Sequence, residues 1–196
     1  MLSQQQLQAY REDIQFSAEL CESTLKFTTT WGIFSPREID EGTQLLLRYI
    51  DIHPEDDCFD LGCGYGPIGL SMAKMANQGQ TLMVDKDFMA VEYSNKNAQL
   101  NHISNAKAML SNGLAHIDKQ QQFDVIASNV PAKVGKEMMS LMLHDSYQHL
   151  KPNGRLYLVT INGLRQYMKR NLNEIFGNYK KLKQGRAYTV AVAYKR

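Results

Sequence analysis

The chain has little of what would commit it to a membrane, a disulfide scaffold or a metal. No uninterrupted apolar run approaches the roughly 20 residues of a membrane-spanning helix, and residues 1–6, Met-Leu-Ser-Gln-Gln-Gln, lack the basic-then-apolar pattern of a secretory leader. There are only three cysteines, Cys21, Cys58 and Cys63; their odd number and lack of paired metal spacing read as reduced thiols of a cytoplasmic protein. The five histidines show no metal spacing, and no serine or cysteine sits in a nucleophile elbow. No metal is expected, and none of the histidines is assigned a catalytic role. Internal repeats and low-complexity linkers are also lacking. What remains is 196 residues, 43% hydrophobic, enough for one compact domain: residues 1–50 form an N-terminal helix, strand and pocket-lining segment on a core of residues 51–196.

A net charge of +2 neither demands nor excludes a polyanionic partner. Its distribution says more. Lys169, Arg170, Lys180, Lys181, Lys183, Arg186, Lys195 and Arg196 crowd the last stretch, where acidic residues almost vanish after Glu174. This is either a solvated helix face or a surface turned toward RNA.

The most informative segment is residues 60–69, Asp-Leu-Gly-Cys-Gly-Tyr-Gly-Pro-Ile-Gly. An apolar strand leads in and a helix leads out, so the glycines fall at a strand-to-helix crossover, where a bare Cα lets the backbone approach a ligand. Gly64-x-Gly66-x-x-Gly69 satisfies the dinucleotide fingerprint, and Asp85 closes the next strand where an acid would hold a ribose hydroxyl. Asp60-x-Gly62 ahead of it favours S-adenosylmethionine (SAM) instead, because a carboxylate at the strand tip attracts an ammonium or sulfonium and repels a pyrophosphate.

From residue 57 the chain alternates. Strands are predicted at 58–61, 81–84, 106–110, 125–128 and 155–160, separated by helices at 68–76, 88–100, 136–150 and 164–176. The pattern implies an α/β, Rossmann-like, doubly wound and mostly parallel sheet of about seven strands with helices on both faces. Upstream, residues 25–30 read as a strand, 31–36 as a loop, and Ile39, Leu45, Leu46 and Ile50 as the apolar face of a helix. The last strand, within 187–194, has no helix after it, and Gly185-Arg186 before it would close a hairpin, making it antiparallel.

Ser128-Asn129-Val130-Pro131-Ala132, directly after the fourth of these strands, resembles the Asn-Pro-Pro-aromatic loop of class I SAM-dependent methyltransferases that modify amide or exocyclic nitrogens. Together with residues 31–35, 39–47 and the glycine loop, it makes most of the chain similar to the small-domain methyltransferase family, whose best-known members methylate guanine N2 in ribosomal RNA. The resemblance implies SAM as cofactor, cradled by Gly62, Gly64 and Gly66 and touched by Asp60, Cys63 and Lys86. It implies Asp85 on the ribose, Gly32 and Phe34 lining the pocket, and Asn112 beside the adenine, although Asn112 before Gly113 equally suits an ordinary turn. Asn129 and Pro131 take the catalytic positions, with the Asn129 oxygen and a loop carbonyl accepting both N–H bonds of the target amine. Ribosomal RNA or a ribosomal subunit is the expected partner of a monomer or homodimer.

Val130 replaces the family's first proline, and Ala132 an aromatic or larger apolar residue that would stack on a base, a contact worth about 1 to 3 kcal/mol. Alternative readings are a protein-glutamine or small-molecule N-methyltransferase, and a non-catalytic SAM-binding accessory protein; a nicotinamide dehydrogenase stands further off.

Overall fold

Strand side chains alternate between two faces, and here each face buries a core of its own. Cys58 faces one cluster with Met83, Val125, Val159, Val190 and Val192; its neighbour Phe59 faces the other with Val84, Ile126, Leu156, Leu158 and Ala193. The computed structural model describes residues 2–196, and Met1 lies outside the described residues. In chain order the elements are α1 (Gln4–Ala9), β1 (Ile14–Leu20), β2 (Ser23–Thr29), α2 (Glu41–Leu47), β3 (Cys58–Leu61), α3 (Pro67–Met75), β4 (Thr81–Asp85), α4 (Phe88–Leu100), β5 (Ala106–Leu110), β6 (Phe123–Asn129), α5 (Lys136–His149) and β7 (Leu150–Ile161). A 3-10 turn (Asn162–Leu164), α6 (Arg165–Phe176), β8 (Lys180–Gln184) and β9 (Tyr188–Tyr194) complete the chain.

The main sheet has seven strands in the order β5-β4-β3-β6-β7-β9-β8. β3 through β7 are parallel, and β9 runs antiparallel between β7 and β8. Residues of α2, α3 and α4 contribute to one core, and those of α5 and α6 to the other. The doubly wound architecture with its antiparallel C-terminal strand is thus the one the sequence implies.

Membership of the strands differs from expectation in two places. The strand read at 25–30 is β2, which pairs with β1 in a separate two-stranded hairpin. Strand β1 carries a period-two signal of its own in Ile14, Phe16, Ala18 and Leu20, inside the segment expected to be a polar N-terminal helix. The seventh strand of the main sheet is β8, Lys-Lys-Leu-Lys-Gln, so Lys180, Lys181 and Lys183 lie on an edge strand and not on a helix face. Lysine is depleted in strands generally but tolerated at an edge, where its side chain reaches water. Helix α2 is shorter than its apolar spacing suggests, since Asp40 caps it through Thr43 N and it closes at Arg48. The 151–154 segment, expected to end a helix, loops out of β7: pairing passes from Phe123↔Leu150 to Val125↔Arg155.

Candidate active site

Strand order reverses between β3 and β6, the two neighbours whose chains wind off in opposite directions. In open α/β sheets the crevice at the carboxyl ends of such strands is where ligands bind. The glycine loop leaves β3 at this point and Asn129 ends β6 beside it; Ser128 Oγ donates to Leu61 O at 2.6 Å, joining the two strand tips.

Asp60 is fully buried beneath the loop. Its Oδ2 accepts the Gly69 N–H at 2.7 Å, while Oδ1 has no hydrogen-bond partner among the described residues. Burial, opposed by the Gly69 N–H and reinforced by Asp85, pushes its carboxyl up to about 7. An unpartnered buried carboxylate oxygen is costly, and a cationic ligand reaching this region would offset that cost. Gly62 and Gly64 have φ of 83° and 56°, and a Cβ built on either would meet open space, so both present bare Cα atoms to the crevice. Gly66 differs: a Cβ there would come within 3.2 Å of Leu70 and of Ser94 Oγ, so its hydrogens serve close packing under the loop. The Cys63 side chain also points inward, accepting from Ser94 Oγ at 3.4 Å, and burial pushes its thiol well up.

Asp85, the last residue of β4, braces the loop. Its Oδ2 accepts the Gly64 N–H at 2.9 Å and its Oδ1 the Asp87 N–H at 3.0 Å. Each oxygen retains a second lone pair for a ligand. Lys86 and Asn112 are exposed just beyond the carboxyl ends of β4 and β5. The 31–36 segment leaves Gly32 exposed with φ of 95° and Phe34 65% exposed, anchored by buried Ile33 between them.

Asn129 is the best-defined polar group of the crevice. Its Nδ2 donates to Asp40 Oδ2 at 2.8 Å and to Thr43 Oγ1 at 3.0 Å. An ionised carboxylate only accepts, so the amide must turn its NH2 toward Asp40, which leaves Oδ1 as the outward acceptor. Tyr188 OH donates to the other oxygen of Asp40 at 3.2 Å. Val130 is buried, and its N–H donates to Val159 O at 3.0 Å, a bond that a proline at this position would lack. Pro131 and Ala132 are exposed, with no aromatic between them and α5.

Sequence reasoning assigns no role to Asp40, Thr43 or Tyr188. Asp40 is legible as a helix cap, but its bond to Asn129 spans 89 positions. Asn97 is equally silent in the sequence. Buried on α4, it exchanges hydrogen bonds with both Thr28 backbone groups and donates to Tyr65 O, fastening the β1–β2 hairpin to the glycine loop.

A doubly wound sheet with a glycine crossover, a strand-tip acid and an Asn-x-Pro loop at its switch point defines a Rossmann-like methyltransferase. The chain belongs to the methyltransferase small domain family, which matches residues 24–192. It is 37% identical over 145 residues to YbxB of Bacillus subtilis, covering 74% of this chain and 72% of that protein. Ribosomal RNA small subunit methyltransferase C of Hamiltonella defensa is 33% identical over 170 residues, covering 85% of this chain and 49% of that one. Among solved structures, the T. thermophilus 16S rRNA N2 methyltransferase RsmC, in complex with AdoMet and guanosine, superposes with a TM-score of 0.85 at 28% identity, covering 94% of this chain and 51% of that chain. The chain therefore spans about half the length of the ribosomal RNA methyltransferases it matches.

Proposed function

We propose that this chain is a SAM-dependent N-methyltransferase that acts on the exocyclic N2 of a guanine in ribosomal RNA, free or within a subunit. The observation that carries this reading is the orientation of Asn129: with its NH2 committed to Asp40 and Thr43, Oδ1 is a preset acceptor for an amine N–H. The similarity to ribosomal RNA methyltransferases supports RNA as the substrate, and the guanosine in RsmC supports the base.

The residues present fit SAM. Gly62 and Gly64 leave room for its methionine part, the unpartnered Asp60 oxygen suits its ammonium, and Asp85 offers lone pairs to ribose hydroxyls. Lys86 and Asn112, just past the carboxyl ends of β4 and β5, and Gly32 and Phe34 of the exposed 31–36 segment complete the cofactor contacts in this reading, while Cys63 and Gly66 contribute by shaping the loop from within. When bound, SAM supplies a methyl group activated by its sulfonium, whose C–S bond breaks as the new C–N bond forms. Guanine N2 is a weak nucleophile because its lone pair is delocalised into the ring. Asn129 Oδ1 accepts one of its N–H bonds and a carbonyl of the 130–132 loop the other, fixing the nitrogen and reducing that delocalisation. The surplus proton leaves to solvent after transfer. Positioning of this kind can contribute several kcal/mol.

Calorimetric titration with SAM, S-adenosylhomocysteine and NAD, followed by tritium transfer from labelled SAM to ribosomal RNA, tests the reading. Binding of the first two and labelling of guanine N2, located by nucleoside mass spectrometry, is expected. Tight NAD binding without SAM binding would end it, and label appearing only on protein glutamine or small amines would move the substrate.

A further inference from the structure

Cations of the outer sheet edge gather where no carboxylate meets them. Arg165, the first residue of α6, and Lys181 on β8 both donate to one acceptor, Gln184 Oε1, Lys181 from 3.4 Å. Arg186 is exposed in the β8–β9 turn. That turn is pinned by Asn162, whose Nδ2 donates to Gly185 O at 3.2 Å and Arg186 O at 2.8 Å and whose Oδ1 accepts from Thr189 Oγ1 at 2.7 Å. Among the described residues, the lysine and arginine ion pairs are Lys96 with Asp13, Lys151 with Asp57 and Asp124, and Arg155 with Asp51 and Asp56. None involves Arg165, Lys181 or Arg186. Like charges brought to one oxygen repel each other, and an anion joining them relieves that repulsion.

Lysines on an edge strand also deter sheet-to-sheet association, which accounts for Lys180, Lys181 and Lys183 by themselves. It does not account for a guanidinium sharing the acceptor of Lys181, nor for an arginine in the pinned turn. The location is equally specific. Strand β8 runs in the direction of β7, so Gln184 lies at the carboxyl side of the sheet with the crevice. Tyr188, two residues beyond Arg186, bonds the Asp40 that holds Asn129.

The geometry points to Arg165, Lys181 and Arg186 as a phosphodiester-binding site that grips the RNA strand running on from the base presented to Asn129. Guanidinium groups match phosphate with paired donors, and lysine adds a point charge. The inference rests on RNA being the substrate.

The test compares Arg165→Gln/Lys181→Gln/Arg186→Gln with a control of equal charge loss on other elements, Lys74→Gln/Lys107→Gln/Lys119→Gln. Binding of a fluorescein-labelled single-stranded oligoribonucleotide is followed by anisotropy across a salt series. The edge variant should bind about tenfold or more weakly at low salt, and its plot of log affinity against log salt should flatten by about 0.7 for each phosphate it no longer neutralises. SAM affinity and melting temperature should not change, and the control variant should retain most of the slope. Equal behaviour of the two variants overturns the site, as does displacement by polyglutamate as effective as by RNA, which would assign the surface to an acidic protein. If the wild type methylates RNA and the edge variant binds it equally well, only the edge site falls; if the wild type neither binds nor methylates RNA, the substrate reading falls with it.

Discussion

The two ends of the parallel strands hold similar polar residues under opposite conditions. At the amino ends, Arg155 pairs with buried Asp56 and with Asp51, and Lys151 bridges Asp57 and Asp124. The same carboxylates accept backbone N–H groups: His53 N reaches Asp56, Asp57 N reaches Asp124, and Gln80 N reaches Asp57. A cleft of about 360 Å³ opens here, lined by His53, Asp56, Asp124 and Arg155, yet its charged groups already satisfy one another. At the carboxyl ends, one oxygen of Asp60 lacks a partner, two glycines face open space, and the Asn129 carbonyl points outward. The amino end pairs its charged groups with one another, leaving only the Thr81 hydroxyl without a partner among the described residues, whereas the carboxyl end leaves a carboxylate oxygen of Asp60 unpaired beneath a loop of bare glycines.

The sharpest test of that contrast is at the closed end. Arg155→Met would strand Asp56, whose side chain is only 10% exposed, and should destabilise the protein by about 3 to 5 kcal/mol in urea unfolding. Lys151→Met, at a side chain 36% exposed, should cost about 1 kcal/mol or less. Neither should alter SAM affinity. A comparable small loss in both would mean that ion pairs do not hold this end together.

At the open end, Asn129→Ala should lower turnover on RNA about a hundredfold while SAM affinity stays within about threefold, because the lesion lies in acceptor positioning. Full activity would remove Asn129 from the mechanism. Asp85→Ala comes next. It deletes the acceptor of the Gly64 N–H together with the lone pairs offered to the ribose, and SAM should bind about tenfold more weakly by calorimetry. An unchanged dissociation constant would reduce Asp85 to a surface acid.

The effect spread over the widest range of conditions is one of pH. Asp60 titrates near 3.8 when unfolded and at about 7 when buried, so between those values the folded chain keeps a proton that the unfolded chain has shed. Stability of the cofactor-free protein should therefore fall as pH rises through that window, by at most about 1.4 kcal/mol per unit. Melting curves from pH 4 to 7 should show this slope in the wild type and lose it in Asp60→Asn. SAM affinity should rise over the same range as the carboxylate ionises. A flat difference between the two proteins would show that Asp60 is not desolvated as the buried geometry requires.

Much of the fold and of the site is legible in the amino-acid order because it is local. Glycines at a crossover, alternation of strand and helix, and Asn-x-Pro after a strand each depend on neighbours a few positions apart, and they suffice for the sheet, its antiparallel C-terminal strand and the methyltransferase resemblance. Strand β8 escapes such reading because three lysines in five residues argue against a strand, and only its edge position, with side chains free to reach water, permits them. The division of labour within the glycine loop escapes it too. Gly62, Gly64 and Gly66 look alike as letters, yet two face the crevice and one faces Leu70.

The fold class thus follows from the chain alone, as do the motifs that nominate candidate residues, since propensity and periodicity act along it. Which of those groups face each other follows from tertiary packing. Asp40 turns the Asn129 amide across 89 positions, Asn97 ties the N-terminal hairpin to the loop across 69, and Gln184 draws Arg165 and Lys181 to one oxygen. The reason is physical: a buried or crowded polar group takes its protonation, orientation and unmet bonding capacity from whatever the fold places within about 3 Å of it.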